Sequence, residues 1–186
     1  MQALLTSTAA VALAEIGDKT QLLALVLASR YRKPVPIVAG ILVATIANHA
    51  LAGLVGAQVG AWLGPEGLRW SVGVAFLGMA GWTLVPDRLD AVEPSRHGAF
   101  VATLVSFFFA EMGDKTQLAT VGLAAGHPGQ ATSVIVGTTV GMLLANVPVV
   151  LVGDRLGARV DLSKARYFAA LLFAAIGGWV CVNGVG

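Results

Sequence analysis

Cysteine, histidine and charged residues are all scarce in this sequence. The lone cysteine, Cys181, excludes an internal disulfide and a cysteine metal cluster. Charged residues make up 12% against 56% hydrophobic residues, and mean hydropathy is +0.80. That balance belongs to an integral membrane protein rather than a soluble domain. Apolar–polar alternation of period two is missing, which argues against a membrane barrel and for a helical bundle. No basic residue precedes the first apolar run, and Glu15, Asp18 and Lys19 lie inside it. The run therefore reads as a retained span rather than a cleaved leader.

A bilayer core about 30 Å thick is crossed by roughly 20 apolar residues in helix. Six stretches meet that length: 2–29, 35–61, 68–85, 99–125, 131–153 and 166–185. Between them, "RYRKPVP", "GPEG", "PDRLDAVEPSRHG", "GHPGQ" and "DRLGARVDLSKAR" carry turn residues and charge. The expectation is an all-α, multi-pass membrane protein of six transmembrane helices. Its net charge of +2 is sorted by loop, a pattern of topology and not of nucleic-acid binding. Arg30, Arg32 and Lys33 follow the first span, Arg88 and Arg96 the third, and Arg155, Arg159, Lys164 and Arg166 the fifth. The other side holds only Arg69. The positive-inside rule then places both termini outside, with Trp62 and Trp70 at the outer interface. "RYRK" could contact anionic lipid, but its topological role is sufficient to explain it.

The chain also repeats itself. Glu15, Gly17, Asp18, Lys19, Thr20, Gln21 and Leu22 recur 96 positions later as Glu111, Gly113, Asp114, Lys115, Thr116, Gln117 and Leu118. At an offset of 97, Gly40, Gly56, Gly60, Arg69, Phe76, Gly81 and Trp82 recur as Gly137, Gly153, Gly157, Arg166, Phe173, Gly178 and Trp179. One residue gained in the first loop of the second copy accounts for the change of offset. The expected organisation is a three-helix repeat over 1–86, a short cytoplasmic linker over 87–98 and a second repeat over 99–186. Three is an odd number, so the second copy enters the membrane from the opposite side. Inverted repeats of this kind place their binding site near the midplane where the halves meet.

On an uninterrupted helix, Glu15 and Asp18 share a face at i, i+3, with Lys19 flanking it at i+4 and Gln21 close to the same stripe. Gly17 permits either close helix approach or a local break that frees carbonyls. Insertion of six such charged groups costs on the order of 15–20 kcal/mol gross, which calls for a function or for tight pairing. Two Glu–Lys bridges joining the halves would be the purely structural solution. Four carboxylates and two ammoniums leave two negative charges over, and a divalent cation, two protons or two sodium ions would balance them. Carboxylates with Thr20, Gln21, Thr116 and Gln117 nearby form a hard oxygen site of the kind that suits Mn2+, Ca2+ or Mg2+ rather than Zn2+ or Cu+. Lys19 and Lys115 are the expected counter-charges when no ion is bound, and proton exchange against metal follows from closely spaced carboxylates.

"EIGDKT" and "EMGDKT" match the E-x-G-D-[KR]-[TS] signature of the Gdt-type cation exchangers, and the chain resembles that family over its whole length. The family includes small bacterial manganese exporters and the Golgi Mn2+/Ca2+ exchangers of eukaryotes. The resemblance implies export of Mn2+, or of Ca2+, in exchange for H+ or Na+, with Glu15, Asp18, Glu111 and Asp114 as metal ligands and no resident cofactor. The short 86–98 segment resembles the bacterial forms, which implies a bacterial inner membrane.

Other intramembrane polar residues are Asn48, His49 and Asn146. Asn48 and Asn146 read equally as supporting ligands or as interhelical hydrogen-bond links worth roughly 1 kcal/mol. His49 reads as a packing histidine or a proton relay. Pro148 is expected to bend the fifth span, and His97 and His127 to be solvated in loops. Two rival functions fit parts of the pattern. An intramembrane aspartyl protease would use two buried acids sharing a proton, but a lysine beside each aspartate disfavours that state. An amine or amino-acid exporter would need fewer than four acids. The oligomeric state is not legible.

Overall fold

A computed structural model of the chain describes residues 1–85, 98–152 and 162–184. Every regular element among them is an α-helix: α1 (Gln2–Ala14), α2 (Lys19–Tyr31), α3 (Pro34–Trp62), α4 (Pro65–Thr83), α5 (Gly98–Glu111), α6 (Lys115–Ala125), α7 (Ala131–Val152) and α8 (Leu162–Asn183). Most of the expected linker over 87–98, with Arg88, Arg96 and His97, lies outside the described residues, as do Gly153 and Gly157.

The second, third, fifth and sixth apolar stretches each form one helix, close to their expected bounds. The first and fourth do not. Each is two helices, α1 with α2 and α5 with α6, broken at the charged motif. The i, i+3 common-face argument for an unbroken helix is thereby replaced by a different local geometry. Proline at the start of α3 and of α4 marks helix entry, where its missing N–H costs nothing. Arg32 closes α2 in the left-handed region at φ 50°. At 29 residues, α3 is the longest helix. Among the described residues only α3 and α7 are long and apolar enough to cross a membrane singly, while α1, α5 and 167–183 are shorter apolar helices.

Packing pairs α1 with α7, α3 with both α5 and α6, α4 with α8, and α3 with α7. The contacts recur at positions related by the sequence repeat. A Cβ on Gly40 of α3 would stand 2.8 Å from Thr103 Cβ and 2.9 Å from the Phe100 carbonyl of α5. One on Gly137 of α7 would stand 2.9 Å from Ser7 Cβ and 2.6 Å from the Leu4 carbonyl of α1. Phe76 and Phe173, themselves repeat mates, meet each other across α4 and α8 with ring centroids 5.9 Å apart. They lie in one apolar cluster with Val72, Met79 and Leu123. A second cluster joins Leu23, Leu27, Ile37, Ile41 and Phe107.

Gly137→Leu is expected to lower stability by roughly 1–3 kcal/mol, the usual range for overpacking against atoms that cannot yield. Gly78→Leu is expected to have little effect, because nothing lies within 4 Å of a Cβ built there. Thermal unfolding of the two variants in one detergent checks the contrast.

Candidate metal site

The charged motif folds the same way twice, because the same residues meet the same backbone needs. Glu15 caps the end of α1, its N–H donating to the Val11 carbonyl. Gly17 then takes φ +85°, and Gly113 takes +78° in the second copy. Side-chain-bearing residues rarely adopt such a conformation. Asp18 and Asp114 follow in extended conformation as the N-caps of α2 and α6. Gln21 and Gln117 reach back one turn, and their side-chain carbonyls accept the Gly17 and Gly113 N–H groups at 2.8 and 2.6 Å. This resembles the reciprocal half of a capping box, moved one residue outward. The short break turns the carboxylates of Glu15 and Asp18 inward from two helix ends.

The two motifs then interlock. Lys115 Nζ donates to Asp18 Oδ1 at 2.6 Å, and Lys19 Nζ stands 3.2 Å from Asp114 Oδ1. Each lysine thus pairs with an acid as expected, and that acid is the aspartate of the other copy rather than the glutamate of the purely structural alternative. Glu15 is 0% exposed and collects hydroxyl donors from both copies. Thr20 reaches its Oε2 at 2.6 Å, and Thr116 reaches its Oε1. Glu111 is only 1% exposed, yet among the described residues neither of its oxygens has a hydrogen-bond partner, and Oδ2 of Asp114 has none either. Native proteins leave few buried polar atoms in that condition. Carboxylate oxygens of Glu15, Asp18 and Glu111 lie within 4.8 Å of one another. Asp114 stays outside that trio, facing Lys19. A cavity of about 10 Å3, roughly the space of one water, opens beside Asp18, Gly17, Lys115 and Thr83.

The remaining candidates are distributed unevenly. Thr20 and Thr116 point at Glu15 as donors. Gln21 spends its amide on the Ala145 carbonyl at 3.0 Å, and Gln117 spends its own on Asn48 Oδ1 at 3.4 Å. Positions 145 and 48 are themselves related by the 97-residue offset, so each glutamine ties its motif to the equivalent point of the opposite half. Asn48 also donates to the Phe108 carbonyl at 3.0 Å. Its place is that of an anchor for α5. Asn146 donates to the Met142 carbonyl, and among the described residues its Oδ1 has no partner, nor do the ring nitrogens of the fully buried His49. His127 is partly buried rather than solvated, with Nδ1 at 2.8 Å from the Leu123 carbonyl. Thr83, which borders the small cavity, escaped the sequence reading because its repeat position is Val180.

The chain is 56% identical to a protein described as "Putative manganese exporter" from Vibrio cholerae serotype O1, over 93% of this chain and 87% of that one. A "GDT1-like protein 5" of Arabidopsis thaliana is 27% identical over 95% of this chain and 94% of its own length. A GDT1-like protein of Schizosaccharomyces pombe is 27% identical over 42% of this chain and 29% of its own. No solved structure matches. The profile described as "Divalent cation/proton antiporter GDT1" matches twice, over residues 3–91 and again over 99–186. With both halves matched, the chain belongs to the GDT1 family of divalent cation/proton antiporters, membrane transporters rather than enzymes.

Proposed function

We propose that this protein exports Mn2+ from a bacterial cell across the inner membrane in exchange for protons, by alternating access at one site assembled from the two motifs. The observation that carries this reading is the interlock, in which three carboxylates from two sequence-distant motifs converge within 4.8 Å while the lysines exchange partners across the halves. Glu15, Asp18 and Glu111 supply oxygens to the ion, and Asp114 completes the set when Lys19 releases it. Unpartnered oxygens on Glu111 and Asp114 are groups that a hard cation satisfies. All four carboxylates are at most 4% exposed, which describes a site closed to both sides of the membrane.

The proposed architecture is six membrane passes in two inverted three-helix units, with both termini outside. The broken pairs α1–α2 and α5–α6 each count as one pass, as discontinuous helices do at transporter sites. The double family match, the Gly40 and Gly137 contacts, and the meeting of Phe76 with Phe173 support a two-fold relation between the halves. The name of the Vibrio relative favours Mn2+ over Ca2+, and the family favours H+ over Na+.

Purified protein in liposomes carrying an internal pH dye provides the test. Addition of Mn2+ is expected to drive proton movement in the opposite direction, with Ca2+ weaker and Na+ gradients without effect. Mn2+ entry with no proton movement under any gradient contradicts exchange.

A further inference from the structure

Away from the acids, a cavity of about 430 Å3 runs between α1, α4, α6 and α8, walled by Ala9, Leu13, Phe76, Gly122 and Ile176 and also bordered by Trp179, His127 and Gly184. A second cavity of about 640 Å3 shares Gly184 and opens beside Glu66, Arg69, Pro128 and Asn183. The first wall is almost wholly apolar. The second contains one acid and one base, which stand one helical turn apart on α4. Arg69 donates Nε to the Cys181 carbonyl at 2.6 Å and lies 5.3 Å from the Trp70 ring centroid. Among the described residues neither Arg69 nor Glu66 forms an ion pair.

Depth in the bilayer is indicated by the tryptophans. Trp62, Trp70 and Trp179 are 84%, 51% and 68% exposed around this end, as residues of an aromatic belt at headgroup level are. An apolar slot adjoining, at Gly184, a headgroup-level cavity whose cation and carboxylate have no ion partner among the described residues matches a chain-bearing zwitterion. Phosphate is the natural partner of the guanidinium, and a primary ammonium that of Glu66. A phosphate ester without an ammonium would leave Glu66 facing like charge.

We propose that these adjoining cavities hold one phosphatidylethanolamine molecule, with an acyl chain in the slot beside Ala9 and Phe76, its phosphate on Arg69 and its ammonium on Glu66. Basic pockets between membrane helices bind lipid headgroups by the same chemistry, and here the added carboxylate selects among them.

Native mass spectrometry of the full chain, released from mild detergent with equal phosphatidylethanolamine and phosphatidylglycerol, tests this. One bound phosphatidylethanolamine per chain is expected, preferred over phosphatidylglycerol by about tenfold, the size of one hydrogen bond to a charged group. Ala9→Trp is expected to displace either lipid by filling the slot. Glu66→Gln is expected to keep binding but lose the preference. Arg69→Gln is expected to lose both lipids. A broad, unselective lipid distribution on the parent overturns the proposal. So does retention by Ala9→Trp together with an unchanged preference in Glu66→Gln, because loss confined to Arg69→Gln would then report only the broken bond to Cys181.

Discussion

Glu15→Gln is expected to abolish Mn2+-driven proton movement, with a fall of more than about 100-fold, while the variant still folds. Loss of groups that merely support a metal ligand costs 10–100-fold in affinity, and Glu15 is proposed as a ligand itself. It is also the residue on which the two halves converge, because Thr20 of its own copy and Thr116 of the other both donate to it. A glutamine retains one acceptor oxygen and turns an amide donor toward a hydroxyl that was itself donating. Thr116→Val removes only the donor from the opposite copy, and a smaller loss of about tenfold is expected from one hydrogen bond to a charged group. Glu111→Gln is expected to be as damaging to transport as Glu15→Gln but gentler on stability, since no hydrogen bond is broken when neither oxygen has a partner. Proton flux and thermal unfolding measured on the same preparations separate these outcomes. Equal flux in Glu15→Gln and the parent contradicts the site.

The second large effect concerns the exchanged lysines. Lys115→Met removes the ammonium 2.6 Å from Asp18, in a pair whose side chains are only 5% and 3% exposed. Breaking a buried pair by removing one partner costs about 3–5 kcal/mol, because the remaining charge stays desolvated. Here that charge stands beside Glu15 and Glu111 as well, which deepens the loss. Asp18→Asn combined with Lys115→Met is expected to recover about 1–3 kcal/mol relative to the sum of the single changes, as contacting residues do. The other pair is looser. Lys19 is 21% exposed and stands 3.2 Å from Asp114, so water already shares the ammonium's charge. Asp114 is itself only 1% exposed, however, and Lys19→Met still strands a buried carboxylate. Its expected cost lies near the lower end of the same range, about 3 kcal/mol. Two copies of one hexapeptide would then differ in stability effect, with the Lys115 change the more damaging. A two-fold protein in a single state has such an asymmetry when one half holds its latch more tightly than the other.

The pairing of motifs was legible in the sequence because buried charge is costly and had been placed twice at one spacing. The repeat alone groups Glu15, Asp18, Glu111 and Asp114 as one set, of which the first three have carboxylate oxygens within 4.8 Å of one another and Asp114 stands apart. The break at Gly17 and Gly113 was legible only as an option. Hydropathy runs through it without a dip long enough to end a span, and a positive φ leaves no mark beyond the glycine itself. The capping role of the glutamines is hidden in the sequence for a related reason. A capping role depends on the helix starting at Lys19 and at Lys115, so Gln21 and Gln117 look like ligands until the break is seen. The choice of Asp–Lys over Glu–Lys pairing follows from the same geometry. Once the aspartates become N-caps of α2 and α6, they face across the interface, while Glu15 stays behind on the end of α1 among hydroxyls. Thr83 carries no repeat signal and no charge, and only the packing of α4 brings it to the cavity.

The claim on which the account rests is that two motifs make one site, and counting bound ions addresses it directly. Electron paramagnetic resonance of Mn2+ titrated into detergent-purified protein reports free ion against bound. The account predicts one high-affinity Mn2+ per chain, lost both in Asp18→Asn and in Glu111→Gln, although these residues belong to different copies. Two equivalent ions per chain, or one ion retained when either motif alone is altered, would contradict it.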